Sequence, residues 1–231
     1  MPSPAASSVH ARPGMPEAIF FDVDGVLIES LSVKGEAFAL VFRDFPDERD
    51  AIINYHLAHG GVNRVEKIRQ IFVALTGRQP TDSELAERVH AFSESVVEQV
   101  IAAPEIAGAG KALEFWSARV PLHAVSATPL DELLVIFDRR GMSQYFASIH
   151  GWPPKKTELL PELVRDLGYS PRACVMVGDS AEDEAAAHAA GTLFIRVNPN
   201  EGDRSPGSGP VIADLHGLTD AISALAWPAS E

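Results

Sequence analysis

The spacing of short apolar runs along this sequence constrains its fold more than any other feature. Five runs have the length and composition of buried strands, and they cover residues 18–22, 122–126, 146–150, 173–178 and 193–197. The stretches between these runs have helical periodicity, over residues 109–119, 129–140, 157–167 and 181–190. Strands that alternate with helices form a parallel sheet covered on both faces. The sequence therefore predicts an α/β fold with a Rossmann-like parallel sheet core and helices on both faces.

The interval between the first two predicted strands is far too long for a single crossover connection. Its pattern is helical throughout, with breaks at Gly60-Gly61 and at residues 77–80. We therefore predict an inserted α-helical cap domain, residues 31–106, between two parts of an α/β catalytic core, residues 17–30 and 107–231.

Composition excludes several classes of protein. The formal net charge of −13 argues against nucleic acid or an anionic membrane as a partner. A single cysteine, Cys174, provides neither a disulfide framework nor a zinc cluster. No apolar run approaches the roughly 18 residues that a membrane span needs.

Two segments of the sequence lack the patterns of packed structure. Residues 1–16 are small, polar and proline-rich, without the apolar centre of a signal peptide, so we expect a disordered N-terminal lead and a cytoplasmic protein. Residues 200–210 are expected to form a flexible loop. The patterns do not specify an oligomeric state.

Polar residues follow three of the predicted strands where each strand ends. These are Asp22 with Asp24, then Ser126, then Asp179. The carboxyl ends of parallel strands meet at one edge of a sheet, and Gly25 allows the chain to turn there so that both early carboxylates face one pocket. Carboxylates at the edge of a core need a compensating charge. Because Mg²⁺ takes one or two protein carboxylates, the pattern predicts a magnesium site that includes Asp22 and Asp179.

Four segments carry a resemblance to a known family. "DVDGVL", "HAVS", "KKTELL" and "VGDSAEDEAAAHAAG" resemble, in this order, the four motifs of the haloacid dehalogenase-like hydrolase superfamily. The resemblance covers residues 17 to about 198. It is to the phosphatase branch with a helical cap inserted after the first motif, as in phosphoglycolate phosphatases and β-phosphoglucomutases.

The resemblance implies roles for the residues of the first two motifs. Asp22 would be the nucleophile that forms an aspartyl-phosphate, and it would also bind the metal. Asp24 would hold a proton at the start, protonate the leaving oxygen and then deprotonate water, while its backbone carbonyl binds the metal. The Ser126 hydroxyl and the backbone N–H of Ala127 would bind the phosphoryl group.

The resemblance also implies roles for the third and fourth motifs. Lys156 would neutralise the phosphate and the nucleophile, although Lys155 next to it is the alternative. Asp179 would bind Mg²⁺. Asp183 lies one helical turn further on the same face and would hold Lys156 or a metal-bound water.

A helix predicted from Asn63 is the most informative part of the cap. Its apolar residues form one stripe, with Arg64 at the edge of the stripe and Lys67 beside it. We hypothesise that Arg64, assisted by Lys67, binds the substrate's phosphate or a carboxylate across the domain boundary. The alternative is an arginine whose stem packs while its head reaches water.

Together these features predict a magnesium-dependent hydrolase of small-molecule phosphate monoesters, with an aspartyl-phosphate intermediate and a small phosphorylated metabolite as its partner. A sugar-phosphate mutase of the same superfamily is the alternative. A non-catalytic binding protein on this fold is less well supported, because the expected functional side chains are all present. Asp24 argues against a dehalogenase or a phosphonate hydrolase, since neither is expected to need this second carboxylate.

Overall fold

The computed structural model describes residues 15–199 and 209–227. In these residues six strands form one sheet, in which every neighbouring pair is parallel. The strand order is β3-β2-β1-β4-β5-β6. The strands are β1 (Ala18–Phe21), β2 (Leu122–Pro129), β3 (Ser148–Trp152), β4 (Cys174–Gly178), β5 (Leu193–Val197) and β6 (Val211–Ile212).

Helices connect these strands and cover the sheet. Five lie between β1 and β2, and the first four of these are α1 (Leu31–Val41), α2 (Arg49–Ala58), α3 (Arg64–Thr76) and α4 (Asp82–Ala102). The fifth is α5 (Ala109–Ser117), and the later helices are α6 (Leu130–Arg139), α7 (Lys156–Asp166), α8 (Ala181–Ala190) and α9 (Leu218–Ser223). None of the described helices is both long enough and apolar enough to cross a membrane.

Strand β1 shows how the sheet divides the core into two layers. Ile19 and Phe21 belong to one apolar cluster, whereas Ala18 and Phe20 belong to a second. Successive side chains of a strand point to opposite faces, so a run that is apolar at every position is buried on both sides. This burial confirms the predicted α/β fold with helices on both faces.

Helices α1 to α4 form a layer of their own. Helix α1 packs against α2 and α4, and α3 packs against α4. Gly60-Gly61 lies between α2 and α3, and Gly77 ends α3 in a left-handed conformation. Thr81 and Glu84 form a reciprocal capping box that begins α4. We call residues 31–106 the cap; its status as a separate domain and its boundaries stay a prediction.

Some predicted segments have different bounds or lie outside the description. Strand β2 continues to Pro129 instead of ending at residue 126, because Pro129 pairs with Trp152 of β3 after an irregularity in the register. The predicted lead covers residues 1–16, of which only 15 and 16 are described. The predicted loop covers residues 200–210, of which only 209 and 210 are described. The rest of both predictions lies outside the described residues.

Candidate active site

The carboxyl ends of three neighbouring strands form the site. Asp22 follows β1 directly, and its backbone N–H donates to the carbonyl of Val177 in β4 at 2.9 Å. Ser126 lies in β2, and Asp179 follows β4. Because β1 lies between β2 and β4, the sheet brings these residues to one edge, where Asp22, Asp179 and Ala127 line a common cavity beneath the cap.

A buried lysine joins two carboxylates of the site. Lys156 Nζ lies 2.6 Å from Asp22 Oδ1 and 2.7 Å from Asp183 Oδ1. Burial opposes its charge, but Asp183 and Asp22 outweigh this effect and raise the pKa of Lys156. Lys155, the sequence alternative, is exposed at the N-terminal end of α7. Lys156 is therefore the lysine that stays charged beside the expected nucleophile.

Three aspartates concentrate negative charge at the same point. Carboxylate oxygens of Asp22, Asp179 and Asp183 lie within 4.8 Å of one another. Burial, followed by repulsion from Asp183, raises the pKa of Asp22 well above its ordinary value and that of Asp179 to about 7. One lysine does not offset three carboxylates, so this donor set is suited to a hard divalent cation.

Asp183 has a different role from the other two aspartates. Its Oδ1 accepts a hydrogen bond from Lys156, and its Oδ2 accepts from Ser180 Oγ at 2.6 Å and from the Ser180 N–H at 3.1 Å. Both oxygens are thus engaged by the protein. This leaves Asp22 and Asp179 as the better candidates for direct contact with a metal ion.

Gly25 makes room for this cluster. Its φ of +79° lies in the left-handed region, and a Cβ at this position would lie 2.4 Å from Asp179 Oδ2. A side chain here would therefore strain the turn and displace the carboxylate.

Asp24 differs from its predicted state. Its carboxylate accepts hydrogen bonds from Lys34 Nζ at 2.5 Å, Ser30 Oγ at 2.5 Å and Thr128 Oγ1 at 3.2 Å. Burial favours the neutral acid, but the charge and hydrogen bond of Lys34 outweigh it and hold the pKa of Asp24 below its usual range. The prediction that Asp24 carries a proton at the start counted the nearby carboxylate but not Lys34, which favours the ionised state in this structure.

Sequence reasoning also missed the three residues that contact Asp24, namely Ser30, Lys34 and Thr128. Lys34 lines the cavity together with Leu31 and Phe38. These residues are spaced i, i+3 and i+7 and so share one face of α1, and this spacing could have indicated that Lys34 faces the site. Thr128 lies two positions after Ser126 and accepts a hydrogen bond from Lys34 at 2.9 Å. Because alternate residues of a strand share a face, the position of Thr128 two residues after Ser126 in β2 could have indicated that Thr128 also faces the site.

Arg64 does meet a carboxylate across the boundary, but the carboxylate belongs to the protein. Its guanidinium donates to both oxygens of Glu132 in α6, at 2.7 and 2.5 Å, and to Ser93 Oγ at 2.6 Å. The side chain is buried, so the alternative in which its head reaches water is wrong. Arg64 lines the cavity, but both of its terminal guanidinium nitrogens already have partners.

Lys67 also lines the cavity and is only 3 % exposed. Its ammonium donates to Nδ1 of His56 at 3.1 Å, which places the histidine proton on Nε2. Burial, followed by the charge of Lys67, lowers the pKa of His56 to about 3, so this histidine is neutral. Lys67 is therefore paired with a neutral group.

A parallel sheet, a helical insert and an aspartate–lysine site at the strand ends define a hydrolase of the haloacid dehalogenase type. The family model for haloacid dehalogenase-like hydrolases matches residues 16–191, and the chain belongs to this family. This assignment confirms the family that the four motifs predict.

The chain is also similar to several individual proteins. It is 28% identical over 204 residues to a phosphoglycolate phosphatase from Chromobacterium violaceum, and the match covers 82% of this chain and 88% of the relative. A Haemophilus somnus protein predicted to be a phosphoglycolate phosphatase has a TM-score of 0.73 at 19% identity, over 90% of this chain and 97% of its own. A Thermotoga maritima protein proposed to be a β-phosphoglucomutase has a TM-score of 0.66 at 22% identity, over 91% and 100%. The two structures share the fold.

Proposed function

We propose that this enzyme is a magnesium-dependent phosphatase that hydrolyses a small-molecule phosphate monoester through an aspartyl-phosphate intermediate. The observation that carries the proposal is the placement of Asp22, with one oxygen on Lys156 and an acidic cluster beside it. The phosphoglycolate phosphatase relative supports a small phosphorylated substrate.

The metal site would be formed by Asp22, Asp179 and the backbone carbonyl of Asp24. When bound, Mg²⁺ would supply positive charge that offsets the repulsion between the phosphate and these carboxylates. The donors are oxygens, as Mg²⁺ prefers, and the raised pKa values of Asp22 and Asp179 reflect carboxylates that a cation would stabilise as anions.

Asp22 is the proposed nucleophile. Because Lys156 holds Oδ1, the second oxygen is left to attack phosphorus, and the bond from phosphorus to the ester oxygen then breaks. Ser126 Oγ accepts a hydrogen bond from the Thr128 N–H at 3.1 Å, so its own hydroxyl hydrogen is directed elsewhere. We assign this hydrogen, with the backbone N–H of Ala127, to the oxygens of the transferred phosphoryl group.

Asp24 is the proposed acid and base. In its ionised state it accepts a proton from the water that cleaves the aspartyl-phosphate. It then holds the proton that the leaving oxygen needs in the next cycle. Lys34 favours the ionised state, so its contact with Asp24 supports the water-activating half of the reaction.

Phosphate release from a panel of small phosphate esters tests this function. We expect release with Mg²⁺, no release with a chelator, and none from Asp22→Asn. Lys156→Met should lower kcat at least 100-fold, because it leaves two buried carboxylates without their cation, whereas the matched control Lys155→Met removes an exposed lysine and should stay within twofold. Folded protein that releases no phosphate from any ester would contradict the proposal.

A sugar-phosphate mutase is the second candidate. The shared fold with the Thermotoga maritima protein and the presence of Asp24 favour it. The products separate the two activities, because a mutase returns an isomerised sugar phosphate while a phosphatase releases inorganic phosphate.

A further inference from the structure

Asp179 depends on its backbone for its position more than the other aspartates of the acidic cluster do. Lys156 contacts both Asp22 and Asp183, and Ser180 also donates to Asp183. Among the described residues, Asp179 has no ion-pair partner within 4 Å, and repulsion from Asp183 opposes its charge. The turn between β4 and α8 must therefore hold this carboxylate in place against its neighbours.

An arginine from outside this turn contacts its backbone. Arg196 lies in β5, and the strand register places it beside Gly178, the residue before Asp179. Its guanidinium donates to the backbone carbonyl of Asp179 at 3.0 Å. The other terminal nitrogen of the same group donates to the carboxylate of Glu184 in the first turn of α8. Arg196 thus joins the end of β4 to the start of α8.

The carbonyl of Asp179 can accept this hydrogen bond because Asp179 lies just outside α8. Ser180 is the N-cap of the helix, and its carbonyl accepts from the Glu184 N–H at 3.3 Å. A charged donor forms a stronger hydrogen bond than a neutral one, and the planar guanidinium holds two acceptors in a fixed geometry. The contact therefore restrains the rotation of the backbone that aims the Asp179 carboxylate.

Arg196 is largely withdrawn from solvent, and it stays away from the space where a substrate would bind. Its side chain is 15% exposed, and the guanidinium carbon lies 5.3 Å from the centroid of the Phe194 ring. Arg196 is absent from the described residues that line the cavity beneath the cap. Any effect of Arg196 on the reaction must therefore pass through Asp179 or through α8.

We propose that Arg196 is a positioning residue that, through the backbone carbonyl of Asp179, holds the Asp179 carboxylate where a divalent cation binds. This inference rests on the proposed function, which makes Asp179 a metal ligand. Charge alone predicts the opposite effect, because a cation near the site repels a second cation and its removal would strengthen metal binding. The direction of the change in metal affinity therefore distinguishes positioning from charge repulsion.

Binding of Mn²⁺ tests the inference without any substrate. Mn²⁺ has the charge of Mg²⁺ and prefers the same oxygen ligands, and the EPR signal of the free ion measures how much is bound. We expect Arg196→Met to raise the Kd for Mn²⁺ at least 10-fold. Arg196→Lys keeps the charge but lacks the fork that holds both acceptors, so its Kd should rise between 3-fold and 10-fold.

Phosphate release gives a second readout. For Arg196→Met, the Mg²⁺ concentration that gives half-maximal activity should rise at least 10-fold. The kcat at saturating Mg²⁺ should return to within threefold of wild type, because Arg196 touches neither the substrate nor the reacting atoms.

Arg88→Met is the matched control. Arg88 in α4 also donates to a backbone carbonyl, that of Val41, and to a carboxylate, that of Asp44. Its side chain is 18% exposed and lies over the ring of Phe42. Arg88→Met should decrease stability about as much as Arg196→Met does, but it should change the Kd for Mn²⁺ by less than twofold.

The outcomes separate this inference from the function on which it rests. An unchanged Kd for Arg196→Met would overturn it, since the capping box of Ser180 and Asp183 would then hold the turn alone. A lower Kd would overturn it in favour of charge repulsion, and an equal rise for Arg88→Met would overturn it in favour of a general loss of stability. If Arg196→Met does not fold, Arg196→Lys decides, and a rise below threefold overturns the inference.

Wild-type protein that binds Mn²⁺ but releases no phosphate from any ester would instead contradict the proposed function. Wild-type protein that binds no Mn²⁺ would overturn both.

Discussion

At the scale of single residues, the site is an arrangement of buried charges that are nearly all paired. Asp24 is neutralised by Lys34, and Lys156 is shared between Asp22 and Asp183. Removing one partner of a buried pair leaves an uncompensated charge, which is more costly than the pair itself is stabilising. Among the described residues, Asp179 and Lys67 lack an ion-pair partner within 4 Å, so the charge of each should decrease the stability of the unliganded protein.

The first prediction concerns Lys67 and pH. Burial, followed by repulsion from Lys34, lowers the pKa of Lys67 from 10.5 to about 8. Its pKa is lower in the folded than in the unfolded state, so its charge costs stability at pH 7, and the cost fades as pH rises through 8 towards 10.5. The difference in unfolding free energy between Lys67→Met and wild type should thus shift by about 2 kcal/mol, in favour of wild type, from pH 7 to pH 9.5.

Urea unfolding of both proteins at the two pH values measures this shift. The exposed control Lys111→Met should show the same difference from wild type at each pH. A difference for Lys67→Met that does not change with pH would contradict a buried, charged Lys67.

At the scale of elements, the cap meets the core at a few defined contacts. Arg64 of α3 binds Glu132 of α6, and Arg140 donates to the carbonyls of Val100, Ile101 and Ala103 at the end of α4. The Gly60-Gly61 segment lies against the start of α8. These contacts place the cap cations over the strand ends.

The second prediction concerns Gly61. Its φ is +78°, and a Cβ there would lie 2.8 Å from Glu182 Cβ and 2.9 Å from Ser180 Oγ. Gly77 has a φ of +72° with nothing within 4 Å, so Gly77→Ala shares the backbone strain without the clash. Gly61→Ala should lower kcat/KM at least 10-fold by holding the cap away from α8, whereas Gly77→Ala should cost about 1 kcal/mol of stability and little activity.

Phosphatase assays and urea unfolding of the two variants together check this prediction. Equal activity in both would show that close contact between the Gly60-Gly61 segment and α8 is not needed for the reaction.

Elements also explain how far the sequence could predict the site. Asp22, Asp179 and Lys156 each follow or begin an element with a clear local pattern, so their meeting at one sheet edge follows from the parallel topology. The ion pairs of Lys34 with Asp24 and of Arg64 with Glu132 depend on how cap helices pack on the core. Periodicity shows which side of a helix is apolar but not which distant residue it meets, so the ionised state of Asp24 and the partner of Arg64 could not be derived.

At the scale of the whole molecule, the fold separates two tasks. The α/β core supplies the acidic cluster and Lys156, which would carry out phosphoryl transfer, while the cap supplies Lys34, which contacts the proposed acid–base residue Asp24, and Lys67, which lines the same cavity. Since the cap closes over the strand ends, it can exclude water from the first step. The formal net charge of the chain is −13, so the basic residues that the cap places around the cavity are a local feature that the overall composition does not indicate.

The most direct test of the central claim, a phosphoryl group transferred to Asp22 beside a divalent cation, is ¹⁹F NMR with beryllium fluoride, which mimics a phosphoryl group on a carboxylate. Wild-type protein should show a bound fluoroberyllate signal when Mg²⁺ is present and none when it is absent, and Asp22→Asn should show none in either case. No bound signal from folded wild-type protein with Mg²⁺, or an equal signal from Asp22→Asn, would contradict the account.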